Sequence, residues 1–165
     1  MKTVSVCFIC LGNICRSPTA EGVMRHFVEE AQLTDRILID SAGTGDWHID
    51  EAPDERAQHA ARQRGYELGM LRGRQLKSAD FERFDLLVAM DERNITALRQ
   101  VCPPAQRDKI HLLMEFVPET DDRWHGAREV VDPYFGGKEG FEQVLDQCEA
   151  ACRGLIAELR ARLLA

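Results

Sequence analysis

No apolar run in this chain approaches the roughly 20 residues needed to span a bilayer, which excludes an integral membrane protein. Basic charge is short as well. Lys and Arg number 21 against 28 Asp and Glu, a formal net charge of −7, so a general nucleic-acid binder, which needs a basic footprint, is excluded. Internal repeats, low-complexity tracts and linker-like stretches are all missing, and 165 residues fit one domain over positions 1–165. A secretory signal is not expected either. The first apolar stretch, residues 4–11, follows Lys2, runs into Gly12, Asn13 and Arg16, and offers no small-residue cleavage site. The expected location is the cytoplasm.

What the chain does have is six cysteines, at 7, 10, 15, 102, 148 and 152. A chain this long with 44% hydrophobic residues needs no disulfide staples, so the question is which thiol reacts and which ones pack. Cys7 and Cys10 form a C-x-x-C, but residues three apart on a strand point to opposite faces, which argues against a redox pair. The histidines at 26, 48, 59, 111 and 125 show no paired metal spacing. Cys148 and Cys152 lie four apart on an apolar helical stripe and read as packing. Cys102, before Pro103 and Pro104, has no assigned role.

Four short apolar runs, residues 4–9, 36–40, 84–90 and 109–114, read as strands buried on both faces. Helical periodicity lies between and after them. Ala20, Val23, Met24, Phe27, Val28 and Ala31 form one face, and Ile95, Leu98 and Val101 or Cys102 a shorter one. Ala57, Ala60 and Ala61 follow a helix start at Pro53 and Asp54, and residues 141–159 carry a long final stripe. Strands alternating with helices predict a parallel sheet covered on both faces, a three-layer α/β sandwich. Ligands in such sheets sit where strands end and helices begin.

The first such turn reads Cys10-Leu11-Gly12-Asn13-Ile14-Cys15-Arg16-Ser17-Pro18. Each residue type suits a cradle for a tetrahedral oxyanion. Pro18 fits a first helical position and Ser17 the N-cap before it, so the helix amides point back into the loop. Gly12 and Asn13 tolerate positive φ, which turns successive N–H groups inward as an anion nest. Arg16 adds a planar fork of donors matched to two phosphate oxygens. Those amides and that guanidinium favour the sulfur anion of Cys10, the form that attacks phosphorus.

Cys10 to Pro18, together with Asp132-Pro133-Tyr134 far downstream, resembles the low-molecular-weight protein tyrosine phosphatases over essentially the whole chain. The resemblance implies a four-stranded parallel sheet, Cys10 as nucleophile and Arg16 as phosphate clamp. It implies a phosphate-binding loop over Leu11, Gly12, Asn13, Ile14, Cys15, Arg16 and Ser17. The resemblance also implies that Asn13 holds the shape of that loop and that Ser17 donates a hydroxyl to the thiolate. It further implies a reversible Cys10–Cys15 disulfide that spares the nucleophile irreversible oxidation. Trp47 and Tyr134 are implied as walls that sandwich a phenyl ring, although Trp47 reads equally well as an anchor covering the core.

The chemistry independently demands an acid, because a phenolate leaves phosphorus slowly unless protonated as it departs. Residues 130–137 form a loop by their Pro and Gly content, and Pro133 biases Asp132 toward an extended backbone. Asp132 is the expected general acid, and no metal or other cofactor is needed. Leu11 and Ile14 offer apolar contact to the same ring, and Ser41, Arg74 and Asp91 are candidate supports from neighbouring strand ends. The basic stretch Arg62, Arg64, Arg72, Arg74 and Lys77 reads as a solvated face. The expected partner is a phosphotyrosine-containing protein, with no nucleic acid and no membrane, acted on by a monomer. A thiol arsenate reductase on the same scaffold is the rival, but residues 90–99 lack the cysteine pair such enzymes place there. A silent phosphate-binding module would lack nucleophile or acid, and neither is missing.

Overall fold

In the computed structural model, which describes residues 1–134 and 136–165, β1 (Val4–Cys10) is an interior strand of a four-stranded sheet. The sheet order is β2-β1-β3-β4 and every pairing is parallel, with β2 at Ile37–Gly43, β3 at Leu86–Ala89 and β4 at Ile110–Leu112. Parallel neighbours require crossovers, supplied by α1 (Arg16–Glu30), α2 (Glu55–Arg62), the single turn α3 (Asp80–Arg83) and α4 (Glu92–Val101). Helix α5 (Lys138–Leu164) closes the chain. Among these helices none is long and apolar enough to cross a membrane.

The side-chain alternation of β1 divides the core in two. Val4, Val6, Phe8 and Cys10 face a large cluster with residues of α1, α2 and α5, including Val23, Met24, Ala61, Leu145, Cys148, Cys152 and Leu155. Cys7 and Ile9 face the opposite cluster with Phe81, Leu87, Ile95, Leu98 and Cys102. Cys7 and Cys10 therefore do stand on opposite faces, and Cys148 and Cys152 are fully buried packing residues. The three-layer α/β sandwich follows.

Strand ends differ from expectation where polar residues are satisfied. β2 continues past Asp40 to Gly43 because Arg74 meets Asp40 and Glu21 accepts from Ser41. β4 stops at Leu112, and the chain then tightens into a 3-10 turn at Leu113–Phe116. The basic stretch is not uniformly a solvated face. Arg64 reaches Glu142, Asp146 and Glu149 on α5 at 2.8–2.9 Å, and Arg74 joins Asp40 to Asp80.

The strand order reverses direction between β1 and β3, one connection running out to β2 and the other to β4. At such a switch point the loops at the strands' carboxyl ends diverge and leave a crevice. Cys10 ends β1 and Asp91 follows β3, so both open into it.

Candidate active site

Cys10 lies on the crevice floor, 4% exposed. Beyond it the chain bends through residues 11–15, with Asn13 at φ 57°, a left-handed conformation that asparagine tolerates. The bend returns the Asn13 N–H to Cys10 Sγ at 3.2 Å, and Ser17 Oγ lies 3.0 Å from the same sulfur. Gly12 does not share the left-handed conformation expected of it. Its lack of a side chain serves space instead, since a Cβ there would meet His48 Cδ2 at 3.1 Å.

Helix α1 starts at Arg16, so Ser17 is not its N-cap and Pro18 is not its first residue. Cys15 occupies the cap position and makes no side-chain cap bond. The Ser17 hydroxyl is already engaged with Cys10 and Asn13. Pro18, third in the helix, costs no hydrogen bond, because first-turn amides have no helical acceptor.

Behind the loop runs a directed chain of hydrogen bonds. Glu21, 2% exposed, accepts the Ser41 hydroxyl at 2.6 Å. With its proton so directed, Ser41 Oγ accepts from Asn13 Nδ2 at 3.0 Å. The second Nδ2 proton goes to Ser17 Oγ at 2.8 Å, which leaves the Ser17 proton for Cys10 Sγ. Asn13 Oδ1 accepts the Arg74 amide at 3.0 Å. Burial raises the Glu21 carboxyl pKa despite the opposing Ser41 and Arg25 donors.

Arg16 is 4% exposed. Its Nη1 donates to Asp91 Oδ2 at 2.7 Å and to the Val130 carbonyl at 3.1 Å. Asp91 also accepts the Asn94 amide with its other oxygen, capping α4. One carboxylate thus fixes both a helix start and the guanidinium. Burial disfavours the Arg16 charge, but Cys10, the Asp91 hydrogen bond and Asp132 outweigh it and raise its pKa.

Asp132 stands across the cleft, its side chain 51% exposed and Oδ2 3.7 Å from Arg16 Nη2. The segment carrying it is pinned from behind. Val130 N–H bonds Met90 O at 2.8 Å, and buried Gln147 of α5 bonds both the Val131 amide and the Glu129 carbonyl. Phe135, inside the loop expected over 130–137, lies outside the described residues.

These groups line one cleft of ≈ 190 Å³ with Leu11, Gly12, Ile14, Cys15, Trp47, His48 and Tyr134. Trp47 is 65% exposed, so it is not an anchor over the core. Its ring rests on Gly45, where a Cβ would come within 2.0 Å of Cζ3. Cys15 borders the cleft as a free thiol. Burial, then Asp54 and then Cys10 push its pKa up, and burial does the same to Cys7, Cys148 and Cys152. Among the described residues no group of three or more His, Cys, Asp or Glu is placed to hold a metal ion.

The structure brings together every candidate named from the sequence: Cys10 to Ser17, Trp47, Asp132 and Tyr134, with Ser41, Arg74 and Asp91 as supports. Glu21, His48, Arg56 and Gln147 also bear on the site and were not among the residues expected there. Glu21 and Gln147 left one trace, a polar residue inside an apolar helical face. His48, whose Nδ1 lies 3.1 Å from Glu51 Oε2, left none.

The family model described as low molecular weight phosphotyrosine protein phosphatase matches residues 5–164. The chain is 44% identical over 163 residues to a low molecular weight protein-tyrosine-phosphatase of Streptomyces coelicolor, covering 98% of this chain and 96% of that one. It is 37% identical over 160 residues to the low molecular weight phosphotyrosine protein phosphatase of Sus scrofa, covering 96% and 97%. A crystal structure of a protein tyrosine phosphatase from Entamoeba histolytica, with Hepes in its active site, superposes with a TM-score of 0.89 at 38% identity. That match covers 96% of this chain and 98% of the other.

Proposed function

The chain belongs to the low molecular weight phosphotyrosine protein phosphatase family, and from that premise we propose that it hydrolyses phosphotyrosine in proteins through a cysteinyl-phosphate intermediate. The observation that carries this reading is one cleft holding Cys10, Arg16 and Asp132 together. The whole chain, 1–165, serves as a single catalytic domain and acts as a monomer, since one copy supplies nucleophile, clamp and acid.

In the first step the Cys10 sulfur attacks phosphorus in line and the bond from phosphorus to the phenolic oxygen breaks. Asp132 gives its proton to that oxygen. Arg16 and the amides of residues 11–17 hold the equatorial oxygens, so positioning and charge stabilisation do most of the work. In the second step water attacks the phosphorus, Asp132 takes its proton, and the sulfur–phosphorus bond breaks to release phosphate. The apolar walls of Leu11, Ile14, Trp47 and Tyr134 suit an aryl ring and favour phosphotyrosine over phosphoserine.

Cys15 is the resolving thiol of this reading. Peroxide oxidising Cys10 and Cys15 together would form one disulfide and two waters, reversibly blocking the nucleophile. The six free thiols suit a reducing compartment, the cytoplasm. The reductase alternative gains no support: residues 90–99 hold no cysteine, and Cys102 Sγ bonds the Pro103 carbonyl at the far end of α4.

Rapid mixing with an aryl phosphate tests the mechanism. Wild type should release phosphate through a trappable phosphoenzyme, and Cys10→Ser should lose turnover by at least about 10³-fold. Normal turnover by Cys10→Ser would rule out the covalent route. Asp132→Ala should lower kcat/KM, which reports phosphoenzyme formation alone, by about 10²–10³-fold for poor leaving groups while sparing activated ones; an equal loss of kcat/KM on both would remove Asp132 as the acid.

A further inference from the structure

Arg56 lies outside the cleft, on the first turn of α2, yet it ties the two catalytic loops together. Its Nε and Nη2 grip the Asp54 carboxylate at 3.1 and 2.9 Å, and Nη2 also donates to the Tyr134 carbonyl at 2.9 Å. The guanidinium lies over the Phe141 ring, 4.8 Å from its centroid, and 5.7 Å from that of Tyr134. Asp54 in turn donates its amide to the Ile14 carbonyl at 2.8 Å, and Ile14 belongs to the loop around Cys10. A continuous path therefore runs from the nucleophile's loop through Ile14, Asp54 and Arg56 to Tyr134, two residues beyond Asp132.

The acid segment is held locally by the Tyr134 amide, which donates to Asp132 Oδ1 at 3.2 Å, and Arg56 adds a tie back to the nucleophile's loop. Upstream of Asp132 the segment is held by buried groups: Met90, Arg16 and Gln147 bond the backbone at residues 129–131. Asp132 itself is half exposed and outside any helix or strand. A general acid works only within hydrogen-bond reach of the departing oxygen, and an error of about 1 Å can cost about 10²-fold. We propose that Arg56 is a positioning residue for the acid step, fixing the downstream end of the Asp132 segment at a set distance from the phosphate-binding loop. The proposal rests on the phosphatase reading above. The planar fork is essential to it, because one group must meet a carboxylate and a carbonyl while lying flat on a ring, which an ammonium cannot do.

The test compares wild type, Arg56→Ala, Arg56→Gln, Arg56→Lys and Asp132→Ala on para-nitrophenyl phosphate and on phenyl phosphate, whose phenol is the poorer leaving group. Inorganic phosphate serves as competitive inhibitor. Arg56→Ala should lower kcat/KM, which reports phosphoenzyme formation alone, by about 10–100-fold for phenyl phosphate and by under about 3-fold for para-nitrophenyl phosphate. Inhibition by phosphate should stay within about 2-fold, since the loop around Cys10 keeps its own hydrogen bonds. Arg56→Lys should fall between Arg56→Ala and wild type. Equal losses on both substrates, with Asp132→Ala retaining its leaving-group selectivity, would mean that Arg56 is only structural and would overturn the proposal. If Asp132→Ala itself shows no selectivity, the acid assignment fails and this inference goes with it. Should Arg56→Ala not fold, Arg56→Gln and Arg56→Lys keep the stem over Phe141 and are judged by the same two ratios.

Discussion

Glu21 separates two things a buried carboxylate can offer, its charge and its acceptor oxygen. The oxygen directs the Ser41 proton and so, through Asn13 and Ser17, the donor facing Cys10. Glu21→Gln keeps an acceptor and should hold kcat within about 2-fold. Glu21→Leu removes it and should cost about 10-fold, the worth of one hydrogen bond of about 1.4 kcal/mol. The charge shows in stability instead. Because burial raises the Glu21 pKa, the folded chain holds that proton more tightly than the unfolded chain. The contribution is therefore full below the unfolded value of about 4.3 and is lost as pH rises through the folded one. Urea midpoints measured across that range should show Glu21→Gln gaining on wild type as pH increases; parallel curves would contradict the assignment. The site was legible in the sequence where chemistry dictates residue type. Cysteine, arginine and an Asp-Pro loop have few other reasons to recur in this pattern. Glu21, Gln147 and Arg56 were not legible because they act on other residues' backbone or hydroxyl groups, contacts that exist only once distant segments meet.

Helix α5 illustrates how an element can defy its own propensities. Gly154 sits well inside a 27-residue helix, where alanine should be better by about 1 kcal/mol. Yet a Cβ at that position would lie 1.6 Å from the Phe116 carbonyl oxygen and 2.8 Å from its carbon. The obstacle is backbone, which cannot rotate aside, so Gly154→Ala should destabilise by about 2 kcal/mol or more. A thermal melt showing a higher Tm for Gly154→Ala would contradict that packing. Elements with a strong period were visible beforehand: α1, α4, α5 and the core of β1 follow the apolar pattern. The end of β2 and the α3 turn were hidden for one reason. Asp40, Ser41 and Asp80 read as loop residues until Arg74 and Glu21 supply their partners.

At the scale of the molecule, the cleft draws on the loop after β1, on Trp47 and His48, and on Asp132 and Tyr134 far downstream, so binding there should stabilise the fold as a unit. Inorganic phosphate that occupies only the folded state should add about 2.7 kcal/mol at 100 times its Kd. A denaturation series with and without phosphate would register this as a raised midpoint. Arg16→Ala should abolish the gain; a gain that persists would place the anion elsewhere. The division of the core by β1 also has a consequence for chemical access. Cys7, Cys148 and Cys152 are sealed between layers, Cys102 lies at the far end of α4 away from the cleft, and Cys15 is held toward the protonated form by its buried surroundings. An anionic alkylating reagent drawn into the bowl by Arg16 should therefore react first at Cys10 on the cleft floor, so that a probe or cross-linker can be mounted there without first removing the other cysteines.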